Sequence, residues 1–96
     1  MEKIDEKVAK KFYKAVLSLK TEEECSAFFE DVCTIKEFQD LSQRFQVALL
    51  LDEGMNYQEI SKCTSVSSAT ISRVNRCLNY GPGGYRTVIE RMKGND

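Results

Sequence analysis

Hydroxyl, amide and guanidinium side chains recur along one stretch of this sequence at spacings that suit nucleic-acid binding. The range 60–88 contains no Asp or Glu but four basic residues, Lys62, Arg73, Arg76 and Arg86. In its second half the outward polar residues are Ser68, Ser72, Arg73, Asn75 and Arg76. Such groups hydrogen-bond to phosphates and to base edges in the major groove. We therefore predict a DNA-binding surface, with an ordinary helical hairpin and a solvated polar face as the alternative.

Two short helices joined by a tight turn would position these side chains. Asn56 can cap the first helix, and Glu59 three residues later can complete a capping box. Ser67 can cap the second helix, whose apolar residues recur at i, i+3 and i+7 on one face. These apolar residues are Ile71, Val74 and Leu78. The pattern predicts a helix-turn-helix over residues 56–79.

The turn departs from the usual helix-turn-helix pattern at two positions. Such units favour Ala where this chain has Ser61, and Gly where it has Ser65. A standard turn requires a positive φ at Ser65, which costs about 1 kcal/mol for a residue with a Cβ. We expect the motif to tolerate both serines.

Catalysis and metal binding are not expected. The chain has no His, no activated-nucleophile pattern and no pair of carboxylates in a plausible cleft. Its cysteines form no CxxC pair and fall near apolar helical positions, so we predict that they pack in the core and bind no metal. They are Cys25, Cys33, Cys63 and Cys77. The glycine-rich segment 81–84 lacks the Lys of a phosphate-binding loop, which favours a chain reversal, and no cofactor is expected.

Four further amphipathic helices are predicted, which gives an all-α chain of six helices. The first runs for about sixteen residues from Ile4 to Leu19, and capping boxes at Thr21 and Thr34 begin the next two. Gly54 suits the left-handed residue that ends the third helix. The predicted inward residues of this third helix are Phe38, Leu41, Phe45, Ala48 and Leu49.

Length and composition predict a single domain over residues 1–96 that is marginal if it must bury its core alone. Residues 1–53 would form core and dimerisation helices, and residues 84–93 a C-terminal helix. The apolar faces of the first three helices are wide, and a homodimer would cover them. No apolar run is long enough to span a membrane and no signal-peptide core is present, so a soluble, cytoplasmic protein is expected.

The segments Tyr57–Ile60 and Ala69–Gly81 resemble the tryptophan-repressor superfamily, and within it the YerC/YecD group of TrpR-like proteins. The resemblance covers nearly the whole chain. It implies an all-helical, intertwined homodimer that binds operator DNA, and the tryptophan repressor itself serves as a general example of helix-turn-helix recognition. The residues expected to face DNA are Gln58, Lys62, Ser67, Ser68, Ala69, Ser72, Arg73 and Arg76.

The resemblance also implies an effector pocket, built in the tryptophan repressor from two arginines, a threonine and a glycine. The threonine corresponds to Thr70 and one arginine to Arg73, while Arg44 is the candidate for the other. Val74 stands at the glycine position, where its isopropyl group would occupy the space of the indole ring. Tryptophan is therefore not expected as corepressor, and the sequence names no other small-molecule effector.

Two functions follow from these observations. The first is a sequence-specific, repressor-like DNA-binding regulator that acts as a homodimer. The second is a helical protein-interaction module that keeps the fold without specific DNA binding, which the near-neutral net charge of −1 and the wide apolar faces would suit.

Overall fold

Six α-helices and no strand make up the described part of the chain. The computed structural model describes residues 4–94, so the outermost residues of the predicted domain 1–96 lie outside it. The helices are α1 (Glu6–Leu17), α2 (Glu22–Val32), α3 (Ile35–Asp52), α4 (Tyr57–Thr64), α5 (Ser68–Tyr80) and α6 (Gly84–Gly94). The predicted all-α fold of six helices is thus confirmed. None of these helices has the length and apolar character that crossing a membrane requires.

Helix α1 is shorter than predicted, with 12 residues instead of about sixteen. The Asp5 side chain caps its start, which leaves Ile4 in front of the helix. At the other end the Ser18 hydroxyl donates to the Ala15 carbonyl at 2.6 Å, and Leu19 follows outside the helix. The prediction extended the helix past both ends because it followed the spacing of apolar residues alone. The capping side chains of Asp5 and Ser18 end the helix earlier.

Side-chain caps also begin α2 and α3. Thr34 and Glu37 form the predicted capping box, with reciprocal hydrogen bonds of 2.8 and 3.1 Å. The Thr21 hydroxyl accepts from the Glu24 amide at 3.0 Å, whereas the Glu24 carboxylate accepts from the Lys20 amide at 2.8 Å instead of from Thr21. The cap of α2 therefore differs from the predicted capping box in one bond, because the backbone amide that binds the Glu24 carboxylate belongs to Lys20 and not to Thr21.

The chain divides into two compact units, and the boundary between Phe38 and Gln39 lies within α3. The first unit contains a row of aromatic rings. Successive ring centroids lie 5.8 Å apart for Phe12 and Phe28, 5.4 Å for Phe28 and Phe29, and 6.2 Å for Phe29 and Phe38. No residue in the range 4–38 is fully buried, so the described part of this unit has no enclosed interior of its own.

The second unit holds an enclosed hydrophobic core. Its buried residues are Val47, Ala48, Ile60, Val66, Ile71, Val74, Leu78 and Ile89. The predicted inner face of α3 is wrong at its N-terminal end, because Phe38 and Leu41 are 45% and 47% exposed. It also omitted Val47, which is completely buried. Burial along α3 is confined to its C-terminal half, where the core lies.

Glycines end α3 and follow α5. Gly54 has φ +91°, the left-handed conformation that was predicted for it. Gly81 is the C-cap of α5, and a Cβ there would overlap the Cys77 carbonyl oxygen. Gly83 then takes φ +95° in the short segment before α6.

The predicted packing of the cysteines in the core is wrong, because none of the four is buried and none belongs to the core cluster. Cys25, Cys63 and Cys77 are exposed, and Cys33 is half-buried. All four are free thiols. Helix α2, which contains Cys25 and is capped by Cys33, has no buried residue, and the buried positions of α4 and α5 do not include Cys63 or Cys77. Within residues 4–94 no group of His, Cys, Asp or Glu side chains could hold a metal ion.

Candidate nucleic-acid interface

Helices α4 and α5 form the two-helix unit that the sequence predicts, joined through residues 65–67. Ile60 of α4 and Ile71 of α5 are completely buried in the shared core, and Val66 in the turn is 7% exposed. Burial of apolar side chains from both helices and from the turn holds the unit together. The outer surface of α5 is therefore presented from a packed support.

Hydrogen bonds at the helix starts agree with the predicted caps. The Asn56 side chain accepts from the Glu59 amide at 2.9 Å, and the Glu59 carboxylate accepts from the Asn56 amide at 3.1 Å. This is the predicted capping box. At α5 the Ser67 hydroxyl accepts from the Thr70 amide at 3.2 Å. Both helix starts are consequently fixed by local side chains.

The turn contains the predicted left-handed serine. Ser65 has φ 60° and ψ 16°, and its amide donates to the Ser61 carbonyl at 3.0 Å. Thr64 supports the same turn, since its hydroxyl donates to the Ile60 carbonyl at 2.7 Å and accepts from the Val66 amide at 3.1 Å. These bonds stabilise a conformation that Ser65 alone would adopt only at a cost.

The two sides of α5 differ sharply in burial. Ile71, Val74 and Leu78 are between 0 and 6% exposed and pack into the core. All eight residues predicted to face DNA are exposed, namely Gln58, Lys62, Ser67, Ser68, Ala69, Ser72, Arg73 and Arg76. Ala69, Ser72 and Arg76 follow at i, i+3 and i+7, so they share one face of α5. The α5 surface can thus offer hydroxyl and guanidinium groups together, while the role of each in DNA binding stays a prediction.

Arg86 and Asn75, which belong to the acid-free range 60–88, have partners within the protein. The Arg86 Nη1 lies 3.0 Å from Asp52 Oδ1, and the Lys93 Nζ lies 2.6 Å from Asp52 Oδ2. The half-buried Asn75 accepts a 3.0 Å hydrogen bond from Asn79 through its side-chain oxygen. Sequence reasoning missed the pairing of Arg86 because Asp52 lies 34 residues earlier, outside the range 60–88.

The charges around Asp52 act on its titration. The hydrogen bond from Lys93 has the largest effect on the Asp52 carboxyl and lowers its pKa. Burial, the second-largest effect, opposes this, and the charges of Lys93 and Arg86 lower the pKa further. Asp52 is thereby held as a carboxylate between the two cations. Because Arg86 is paired with Asp52, it adds less positive charge to the surface near α5 than the acid-free range 60–88 led us to expect.

The residues of the predicted effector pocket differ in burial and in their partners, and the pocket itself stays a prediction. Val74 is 2% exposed within the core, and Thr70 is half-buried with its hydroxyl 3.1 Å from that of Ser67. Arg44 and Arg73 both act on the phenol of Tyr85. Burial raises the pKa of this phenol, Cys77 adds to the rise, and the two arginines oppose it. The ring of Tyr85 stacks on Phe45 at 6.4 Å, so the neighbourhood of both arginines already contains an aromatic side chain.

Comparison with known proteins agrees with this geometry. The family model of the Trp repressor protein matches residues 7–93. The uncharacterized protein YerC of Bacillus subtilis (strain 168) is 47% identical over 93 residues, which cover 97% of this chain and 89% of YerC.

Solved structures extend the similarity to three dimensions. The crystal structure of a TrpR-like protein from Eubacterium eligens ATCC 27750 has a TM-score of 0.88 and 52% identity, covering 91% of this chain and 90% of that one. A crystal structure from Staphylococcus aureus, provisionally identified as a Trp repressor, has a TM-score of 0.86 and 42% identity over 90% of this chain and 86% of that one. The chain therefore belongs to the Trp repressor family, in its TrpR-like YerC group.

Proposed function

We propose that this protein is a sequence-specific DNA-binding transcriptional regulator of the repressor type, acting in the cytoplasm as a homodimer. The observation that carries the proposal is the exposed face of α5, which offers hydroxyl and guanidinium groups from a helix whose opposite side is buried. The family membership of the chain supports the same function. A helix supported in this way can enter a major groove without losing its packing.

In this proposal α5 reads base edges and α4 contacts the phosphate backbone. Ala69, Ser72 and Arg76 lie on the face that would enter the groove, where methyl, hydroxyl and guanidinium groups distinguish base pairs. Gln58 and Lys62 lie exposed on α4. Lys62 would neutralise a phosphate and Gln58 would donate to one, and such contacts set register and not sequence. Ser67, Ser68 and Arg73 complete the proposed contact surface.

The homodimer is proposed from the first unit. None of its described residues is fully buried. Large apolar side chains are exposed there, with Leu17 at 82%, Ile35 at 81% and Val8 at 62%. Helices of this length gain most of their stability by burying an apolar face against another element. A second copy provides a matching apolar face by symmetry, and it also supplies a second α5 for the adjacent half-site.

Tryptophan is not proposed as corepressor. Val74 replaces the glycine that lines the indole site in the tryptophan repressor, and its side chain takes up core volume where a glycine would leave space. The proposed DNA binding therefore requires no added tryptophan. No other effector is assigned.

The proposal is tested by selecting duplexes from a randomised library with the purified protein at moderate salt. We expect enrichment of a two-fold symmetric site whose half-sites lie about one helical turn, roughly 34–36 Å, apart. Enrichment should be the same with and without added tryptophan. Recovery of unenriched sequence would limit the protein to non-specific phosphate binding and contradict the proposal.

A second candidate is a protein-interaction module, which the exposed apolar side chains of the first unit favour. Its signature would be a heteromeric partner bound through the first unit, together with no discrimination between duplexes at low salt. The same selection experiment separates the two candidates, because only the regulator enriches a site.

A further inference from the structure

A chain of polar contacts links the end of α3 to α5 through α6. Asp52 near the C-terminal end of α3 accepts from Arg86 of α6 at 3.0 Å. The second terminal nitrogen of the same guanidinium, Nη2, donates to the Asn79 side-chain oxygen on α5 at 3.2 Å. Arg86 therefore uses its forked geometry to bridge two other helices.

The chain of contacts continues along α5. The side-chain Nδ2 of Asn79 donates to both the backbone carbonyl oxygen and the side-chain oxygen of Asn75, at 3.0 Å each. Asn75 directly precedes Arg76 and lies three residues after Ser72. The contacts thus end on the helical turn that carries two of the proposed base-reading residues.

We propose that Asp52, Arg86 and Asn79 are positioning residues, which fix the orientation of α5 for DNA recognition. The inference rests on the proposed function. The buried side of α5 is entirely apolar, and apolar packing is non-directional, so it resists rotation of the helix less than hydrogen bonds do. Recognition tolerates displacements of only about 0.5 Å in the contacting groups. A polar bridge beside the reading face would supply the missing directional restraint.

The exposure of these residues argues against stability as their main contribution. The Arg86 side chain is 44% exposed and Asn79 is exposed, while the Asp52 side chain that Arg86 contacts is 13% exposed. Ion pairs with such exposure add little to the free energy of unfolding, because water screens them. We therefore expect substitutions here to alter recognition while leaving the fold nearly as stable.

Two charge-preserving variants test the inference, with a matched control. Arg86→Lys keeps the charge beside Asp52 but cannot bridge Asp52 and Asn79, because an ammonium group lacks the planar fork. Asn79→Ala removes the next contact without changing the charge. Lys93→Gln is the control, because Lys93 binds the same carboxylate but, among residues 4–94, makes no hydrogen bond to α5. Circular dichroism at the binding temperature confirms that each variant is folded.

The readout is the ratio of affinities for the selected duplex and for a scrambled duplex of equal length. Arg86→Lys and Asn79→Ala should each lower this ratio about fivefold, in the range usual for residues that act through others. Lys93→Gln should keep the wild-type ratio. An unchanged ratio in folded Arg86→Lys would overturn the positioning role alone, and so would an equal fall in Lys93→Gln. Absence of discrimination by the wild-type protein would instead overturn the proposed function, and this inference with it.

Discussion

At the scale of single residues, the strongest functional candidates are arginines whose surroundings differ. Arg73 and Arg76 are exposed on α5, whereas Arg86 is held between Asp52 and Asn79. Sequence position alone assigned all three to one basic stretch. The structure distinguishes them, because only a guanidinium that is free of internal partners can exchange its hydration for a phosphate or a guanine.

Replacing Arg76 should therefore weaken DNA binding. We expect Arg76→Ala to lose about 1–3 kcal/mol of binding free energy and to relax base preference at one position if Arg76 contacts guanine. If its partner is a phosphate, the slope of log K against log salt should fall by about one instead. Arg91→Ala is the matched control, because it removes the same charge from the last turn of α6. Titrations of the selected duplex at several salt concentrations check both variants, and unchanged affinity and slope in Arg76→Ala would remove this residue from the interface.

At the scale of elements, the features that sequence predicts correctly are local. A cap depends on residues three positions apart, so Asn56 with Glu59 and Thr34 with Glu37 could be read from spacing alone. The fold features that were missed depend on contacts between distant parts of the chain. Val47 is buried because residues of α4, α5 and α6 pack around it. The spacing of apolar residues within α3 carries no information about that packing. The same reason explains the cysteines, since an apolar neighbour in sequence does not establish burial.

In the candidate site, too, the local features could be predicted from the sequence and the contacts between distant residues could not. The exposed polar face of α5 follows from helical periodicity, and Ser65 takes the left-handed conformation that the turn pattern requires. The bridge from Asp52 to Asn79 could not be predicted, because its partners lie on three helices and no local pattern joins them.

The turn between α4 and α5 offers a stability test of this element. Ser65→Gly should raise the free energy of unfolding by about 0.5–1 kcal/mol, since relief of the left-handed strain exceeds the greater unfolded-state entropy of glycine. This corresponds to a rise in Tm of about 2–8 °C for a domain of this size. Gly54→Ala should do the opposite and lower the free energy of unfolding by about 1–2 kcal/mol, because φ is +91° there. The whole cost would come from the backbone conformation, since no atom crowds the new Cβ. Thermal unfolding at one protein concentration measures both, and destabilisation by Ser65→Gly would show that its hydroxyl outweighs the strain.

At the scale of the whole molecule, the question is what covers the apolar surface of the first unit. The aromatic row from Phe12 to Phe38 packs ring against ring, yet the unit encloses no side chain among the residues described. A groove in this unit is lined in part by Leu19, Cys25 and Phe29. The second unit shows the contrast, because its core is closed by its own helices. The asymmetry between a closed unit and an open one is the arrangement expected of a chain that completes its core by association.

A substitution that disrupts the proposed homodimer should leave the fold of the single chain intact. Leu17 is 82% exposed, so a single chain should tolerate Leu17→Glu, whereas a charge buried at a dimer interface is strongly unfavourable. We expect Leu17→Glu to shift the protein from dimer to monomer in sedimentation equilibrium. Because a dimer engages both half-sites at once, affinity for the two-fold symmetric duplex should fall by at least about a hundredfold. Gln43→Glu adds the same charge at an exposed polar position of α3 and should leave mass and affinity unchanged. A wild-type protein that sediments as a monomer would contradict the homodimer and leave the apolar face of the first unit to a different partner. A Leu17→Glu protein that remains dimeric would place the subunit contact elsewhere.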